Sequence, residues 1–221
     1  MTRCLPANVG RLCGIAVLCS AVGLVSQPAR ATVVFGNLGA AGTDAISGTN
    51  TDFGPGDANE RSLAQGFTTG SSSQYLTVTS ISMGLFASST GTENRTVSIF
   101  SDSSGVPGSA VFTSAVTPVG NTGTYTFNFS NAVLSPSTSY WVVPQGPASW
   151  YLNNSNTAPA GLNSSGYVSI GTKLQNTSSQ WVNATFPGYT VSVVAVPEPT
   201  SVGLLAAAGL AGGFALVRRR R

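Results

Sequence analysis

The sequence predicts an all-β fold: a single antiparallel β-sandwich, jelly-roll-like, flanked by an N-terminal signal peptide and a C-terminal transmembrane helix. Three observations carry this. About ten short stretches rich in β-branched and aromatic residues recur every 8–15 residues or so between clusters of Gly, Asn, Asp, Ser and Pro. No amphipathic helical pattern occurs before Thr200, and strands without intervening helices pack as two antiparallel sheets. The only long apolar runs lie at the two ends of the 221 residues.

Thr32–Phe35 reads as the first strand, and Gly36–Asp57 as mostly loop. Ser62–Thr68 is a strand. Leu76–Phe86 alternates imperfectly, with Leu76, Val78 and Ser80 on one side and Ile81, Met83 and Leu85 on the other, so a long strand with a bulge is expected. Arg95–Ser101 places Val97 and Ile99 on one face. Asp102–Gly108 has turn chemistry, and Ala110–Val116 is the next strand. Tyr125–Phe129 alternates most clearly, with Tyr125, Phe127 and Phe129 sharing a face. Ser139–Val143, Ser149–Leu152, Tyr167–Ile170, Gln180–Phe186 and Thr190–Val196 complete the set.

The first 31 residues have the layout of a secretory signal peptide. Arg3 and Arg11 supply the positive region, Leu12–Val25 is the apolar run, and Ala29-Arg30-Ala31 satisfies the small-x-small rule. Cleavage by signal peptidase is expected between Ala31 and Thr32. All three cysteines, Cys4, Cys13 and Cys19, then leave with the signal, so the exported chain has no disulfide. Seven of the ten basic residues lie in the two end segments. Arg61, Arg95 and Lys173 remain against seven acids, a net charge of −4. The basic whole-chain balance thus belongs to targeting segments and gives no reason to expect nucleic-acid binding. The body, 32–196, is long enough for one domain with its own core.

The C-terminal segment has three parts in fixed order. Pro197-Glu198-Pro199 holds the backbone extended, because each proline fixes φ and lacks an N–H. Thr200–Val217 is eighteen residues without a charge, reaching roughly 27 Å as a helix, close to the hydrocarbon thickness of a bilayer. Arg218, Arg219, Arg220 and Arg221 follow and would stay on the cytoplasmic side. On physical grounds alone this is a membrane anchor. Val196-Pro197-Glu198-Pro199, the short apolar span and the terminal arginines together resemble the PEP-CTERM sorting signal of Gram-negative bacteria. The resemblance covers 197–221 and the residue before it. It implies recognition by an exosortase, a membrane protease that cuts near the Pro-Glu-Pro. It also implies an inner-membrane intermediate, delivery to the cell surface or extracellular matrix, and association with exopolysaccharide and biofilm.

The body carries a second resemblance. Ala64-Gln65-Gly66-Phe67-Thr68, Val97–Asp102, Gly105–Ser109 and Leu134–Val143 occur in the order in which similar segments occur in choice-of-anchor R domains. This likeness spans about Ser62–Val194. It implies a surface-exposed β-sandwich and brings no catalytic residues.

The chemistry available is narrow. With no His anywhere and no Cys after residue 19, a Ser-His-Asp or Cys-His nucleophile and a His-ligated zinc are excluded. No enzyme and no cofactor are expected. The loop around Asp52, Asp57 and Glu60 gathers oxygen donors of the kind calcium takes, though a solvated polar loop reads the same. Trp150, Tyr151 and Trp181 are candidates for stacking on a glycan, and core packing is the alternative for each. Trp141 is expected to be core. Two functions stay open at this point: a non-enzymatic surface or matrix protein, and a carbohydrate-binding module.

Overall fold

The computed structural model describes residues 30–38, 50–53, 62–71, 76–86, 92–146, 148–151, 159–162, 165–175, 180–184 and 188–196. All belong to a compact unit spanning Arg30–Glu198. The signal peptide up to Ala29, the helix expected over 200–217 and the basic residues 218–221 lie outside the described residues. Among the described residues no helix is long and apolar enough to cross a membrane.

Every regular element described is a strand. In chain order they are β1 (Thr32–Gly36), β2 (Asn50–Phe53), β3 (Ser62–Thr68), β4 (Thr77–Phe86), β5 (Glu93–Asp102), β6 (Pro107–Thr113) and β7 (Thr117–Val119). They continue with β8 (Gly123–Val133), β9 (Ser139–Gln145), β10 (Ala148–Tyr151), β11 (Ala160–Gly161), β12 (Val168–Gln175), β13 (Trp181–Asn183) and β14 (Val191–Val196). They form two seven-stranded sheets, and all the pairings are antiparallel. The first sheet runs β11-β1-β14-β4-β10-β2, with β8 along the other side of β4. The second runs β13-β12-β3-β9-β5-β6, with β7 also on β5. Eight of these strands interleave as β1-β14-β4-β8 facing β3-β9-β5-β6. Among those eight, only the β5–β6 hairpin joins neighbours within one sheet. That is the arrangement of a double-sheet jelly roll.

The core lies between the sheets. Phe35, Val78, Ile81, Met83, Leu85, Phe127, Trp150, Val191 and Val193 come from the first. They meet Leu63, Phe67, Val97, Ile99, Tyr140 and Val142 from the second, all but Tyr140 at most 1% exposed. Phe67 stacks on Tyr167 with centroids 5.5 Å apart and leans on Phe35 and Tyr140. Burial beside Tyr140 pushes the Tyr167 phenol well above its ordinary pKa, so it stays neutral.

The imperfect alternation of β4 has a structural cause. Val78 pairs with Ala195 and Ser80 with Val194, leaving Thr79 as an extra residue. This bulge switches the parity of the strand. Leu76 and Val78 before it, and Ile81, Met83 and Leu85 after it, are thereby all buried. Strict alternation would put Val78 and Ile81 on opposite faces. In β8, Asn131 has φ 59°. Beyond it Ala132 turns inward, whereas Val133 is 52% exposed.

Several boundaries differ from the sequence expectation. Residues 50–53, read as loop, form β2 against β10. The strand expected at 110–116 starts three residues earlier, because the turn before it is tighter than the composition of 102–108 implies. Ser104 (φ 55°) and Gly105 (φ 81°) form a two-residue hairpin loop with both central residues left-handed, the primed turn that matches strand twist. The Ser103 N–H donates to Val106 O at 2.8 Å, and Asp102 Oδ2 accepts from the Gly105 N–H at 3.0 Å. β12 continues through Gly171 (φ 97°) to Gln175, beyond the end expected at Ile170. β7 and β11, three and two residues long, are too short to leave a pattern.

A Cβ at Gly105 would meet no atom within 4 Å, so replacing it tests backbone conformation alone. Gly105→Ala is expected to cost about 1 kcal/mol and to lower the melting temperature by roughly 3 °C, read by thermal denaturation followed by circular dichroism.

Candidate functional site

β9 delivers its side chains alternately. Tyr140 and Val142 enter the core, and Trp141 and Val143 face the outside of the second sheet. Trp141 is nonetheless 1% exposed. It is sealed in a small second cluster with Ala64 and Val143, against which Phe100 and Trp181 pack. Its neighbour on β3 is Gly66, and a Cβ there would stand 2.7 Å from the indole. The absent side chain is what lets the ring lie on the sheet. The indole N–H donates to Asp102 Oδ1 at 2.7 Å. Lys173 Nζ sits 5.9 Å from the ring centroid and donates to Asn183 Oδ1 at 2.6 Å. A carboxylate and an ammonium thus bracket the buried ring. The expectation that Trp141 is packed holds, on the sheet's outer face and apart from the main core.

Trp150 is not a glycan-stacking residue. It is fully buried, its ring stacks on Tyr189 with centroids 4.4 Å apart, and its indole N–H donates to Thr190 O at 2.9 Å. A ring with no exposed face has nothing to offer a sugar. Tyr151 lies opposite Asn50 in the β10–β2 pairing, and its side chain is outside the described residues. Trp181 begins β13, half-buried on the second sheet's outer face. Val168, Ile170 and Val182, on β12 and β13, are exposed.

Of the oxygen donors considered for calcium, Asp52 lies in β2 opposite Ser149. Asp57 and Glu60 are outside the described residues. Among the described residues no group of three His, Cys, Asp or Glu could hold a metal ion.

The sequence did not single out Gln65, which the structure makes a tie between elements. It is fully buried. Its amide N–H groups donate to Gly171 O at 3.1 Å and Ser169 Oγ at 3.2 Å, and Oε1 accepts from the Tyr189 N–H at 3.3 Å. One side chain therefore joins β3, β12 and the segment entering β14. A lone Gln inside an apolar stretch was the available signal, since buried amides are kept only when bonded. Gln65→Leu keeps the volume and strands those partners. It is expected to cost about 2 kcal/mol, a fall of roughly 4–8 °C in melting temperature. Arg95 is likewise buried. It pairs with Glu93, donates to Asn94 O at 3.1 Å, and lies against Gly146 (φ 88°). Burial lowers its pKa from the ordinary guanidinium value.

The two ends of the body meet in the first sheet. Ala31 is exposed and Thr32 opens β1. Thr32 pairs with Ala195, and Val196 pairs with Thr77. β14 therefore runs between β1 and β4 as far as Ala195 and stays paired with β4 to its last residue, and Pro197-Glu198-Pro199 follows with no spacer.

These observations define an all-β, two-sheet protein whose last strand leads directly into a proline-flanked glutamate, an uncharged stretch and four arginines. Residues 195–221 match the family model of the PEP-CTERM protein-sorting motif. The motif implies an exported protein that passes through a membrane-anchored stage and is processed by an exosortase. No curated protein and no solved structure gives a significant match to the chain.

Proposed function

We propose that this is a non-enzymatic protein of the cell surface or extracellular matrix, associated with exopolysaccharide. Signal peptidase would free Thr32, the tail would hold the chain in the inner membrane, and the exosortase would then sort the body outward. The observation that carries this reading is the continuity of the sorting motif, 195–221, with the last strand of a β-sandwich. The absence of His from the whole chain and of Cys after residue 19 supports a non-catalytic role. The body's likeness to choice-of-anchor R domains, carried by its own residues, agrees with surface display. In the native host the protein is expected to fractionate with the extracellular polysaccharide. A strain making no polysaccharide should release it into the medium. The same distribution in both strains would overturn the matrix role.

A second reading, a glycan-binding module, is favoured by one feature: half-buried Trp181 and exposed Ile170 both lie on the outer face of the second sheet, around Trp141. Trp181→Ala would then weaken retention on the host polysaccharide while the body still melts cooperatively, only a few degrees lower. Unchanged retention removes this reading.

A further inference from the structure

The place of β14 in the first sheet bears on where the tail is cut. β14 is an interior strand. Along its length it is paired on one side with β1, from Thr32↔Ala195 to Gly36↔Ser192. On the other it is paired with β4, from Val196↔Thr77 to Val191↔Met83. Val191, Val193 and Ala195 are fully buried in the core. A protease takes its substrate as an extended strand, with backbone groups bonded to the enzyme and side chains in alternate pockets. The backbone of 192–195 is paired on both sides, and Val196 is still paired with Thr77 of β4. The enzyme could take it only by opening the middle of the sheet.

We propose that the folded body limits the cut. With Val196 held against Thr77, cleavage after Val196 or Pro197 would leave at most one residue between the scissile bond and the sheet. An extended residue spans only about 3.3 Å, too little for an active site to close around the chain. The scissile bond therefore lies beyond Glu198, and Pro197-Glu198 is the stretch that the body leaves for the enzyme to grip. In the step, one peptide C–N bond breaks. The body-side acyl group passes to water or to an acceptor amine, and the tail-side nitrogen takes a proton and leaves as an amine. β14 also completes the sheet between two strands that precede it, so the limit is set once the body has folded outside the membrane. This inference rests on exosortase sorting of the same tail.

The test is intact mass and C-terminal peptide analysis of the protein from the native host, in strains with and without the exosortase. The expected mature chain retains Glu198. A mature C-terminus at Pro197, Val196 or any earlier residue would overturn the proposal. A chain ending at Arg221 in both strains would instead overturn the sorting reading on which it rests. A second variant separates the sheet from the enzyme's own sequence preference. Thr77→Pro removes the backbone donor opposite Val196 at the end of the ladder and leaves the motif intact. A cooperative melt of the purified body confirms that it folds. Frayed, upstream-shifted C-termini are expected for this variant. A single unchanged C-terminus would mean that the enzyme, not the body, sets the boundary.

Discussion

Glu198→Ala is expected to leave export intact and to hold full-length protein in the inner membrane. The argument follows the order of the tail. Thr200–Val217 has no charge and is long enough to be stable in lipid as a helix. Arg218–Arg221 cannot cross cheaply. Both act whatever stands at position 198, so translocation stops at the same point. Recognition is different. Each proline fixes its own φ and has no N–H to donate, and Glu198 is the one charge between Val196 and Arg218. Removing it takes away the feature that distinguishes this extended segment from others. Replacing Pro197 and Pro199 together with Ala is expected to have the same effect by relaxing the backbone. Deleting 200–221 should do the reverse and release soluble body with no sorting step. Membrane fractionation with a size blot reads all three. Normal processing of Glu198→Ala would show that the charge is not part of the signal.

Trp150→Ala is expected to be the most destabilising of the aromatic truncations. It empties a fully buried site, breaks the stack on Tyr189 and strands Thr190 O. Large-to-small changes of this kind cost roughly 3–5 kcal/mol, against a total stability of about 5–15 kcal/mol for a domain. The melting temperature should fall by about 10 °C or more. Trp181→Ala, at a half-buried position on the sheet's outer face, should cost about 1 kcal/mol. Urea denaturation of the body reads the pair. Equal losses would contradict the burial assigned to the two rings.

The strands that were legible in the sequence are those whose hydrophobic period survives along their length. β5 and the first half of β8 alternate cleanly, and Val97, Ile99 and Phe127 lie in the core as their spacing requires. β4 was legible only as a strand with a defect, because the residue count around Thr79 does not say which pairing loses register. Trp150 and Trp141 show a different limit. Alternation divides a strand's residues between two faces but does not say what covers each face. Trp141 is closed over because Gly66 and Lys173 come beside it from β3 and β12, an adjacency fixed by sheet order and absent from local sequence. Trp150 is closed over because Tyr189, thirty-nine positions further along, folds back onto it. The sorting signal needed no fold to be read, since its three parts are contiguous. What the sequence could not show is that Val196 is still inside a sheet when the motif begins.

The most direct test of the account is the fate of Arg221 in the native host with and without its exosortase. A C-terminal epitope after Arg221 and a second one in the body follow the two ends of the chain through fractionation. With the enzyme present, the body epitope should reach the surface fraction on a shorter chain that lacks the C-terminal epitope. Without it, both epitopes should stay together in the inner membrane. Both epitopes on one full-length chain in either strain would make the tail a plain anchor and contradict exosortase sorting.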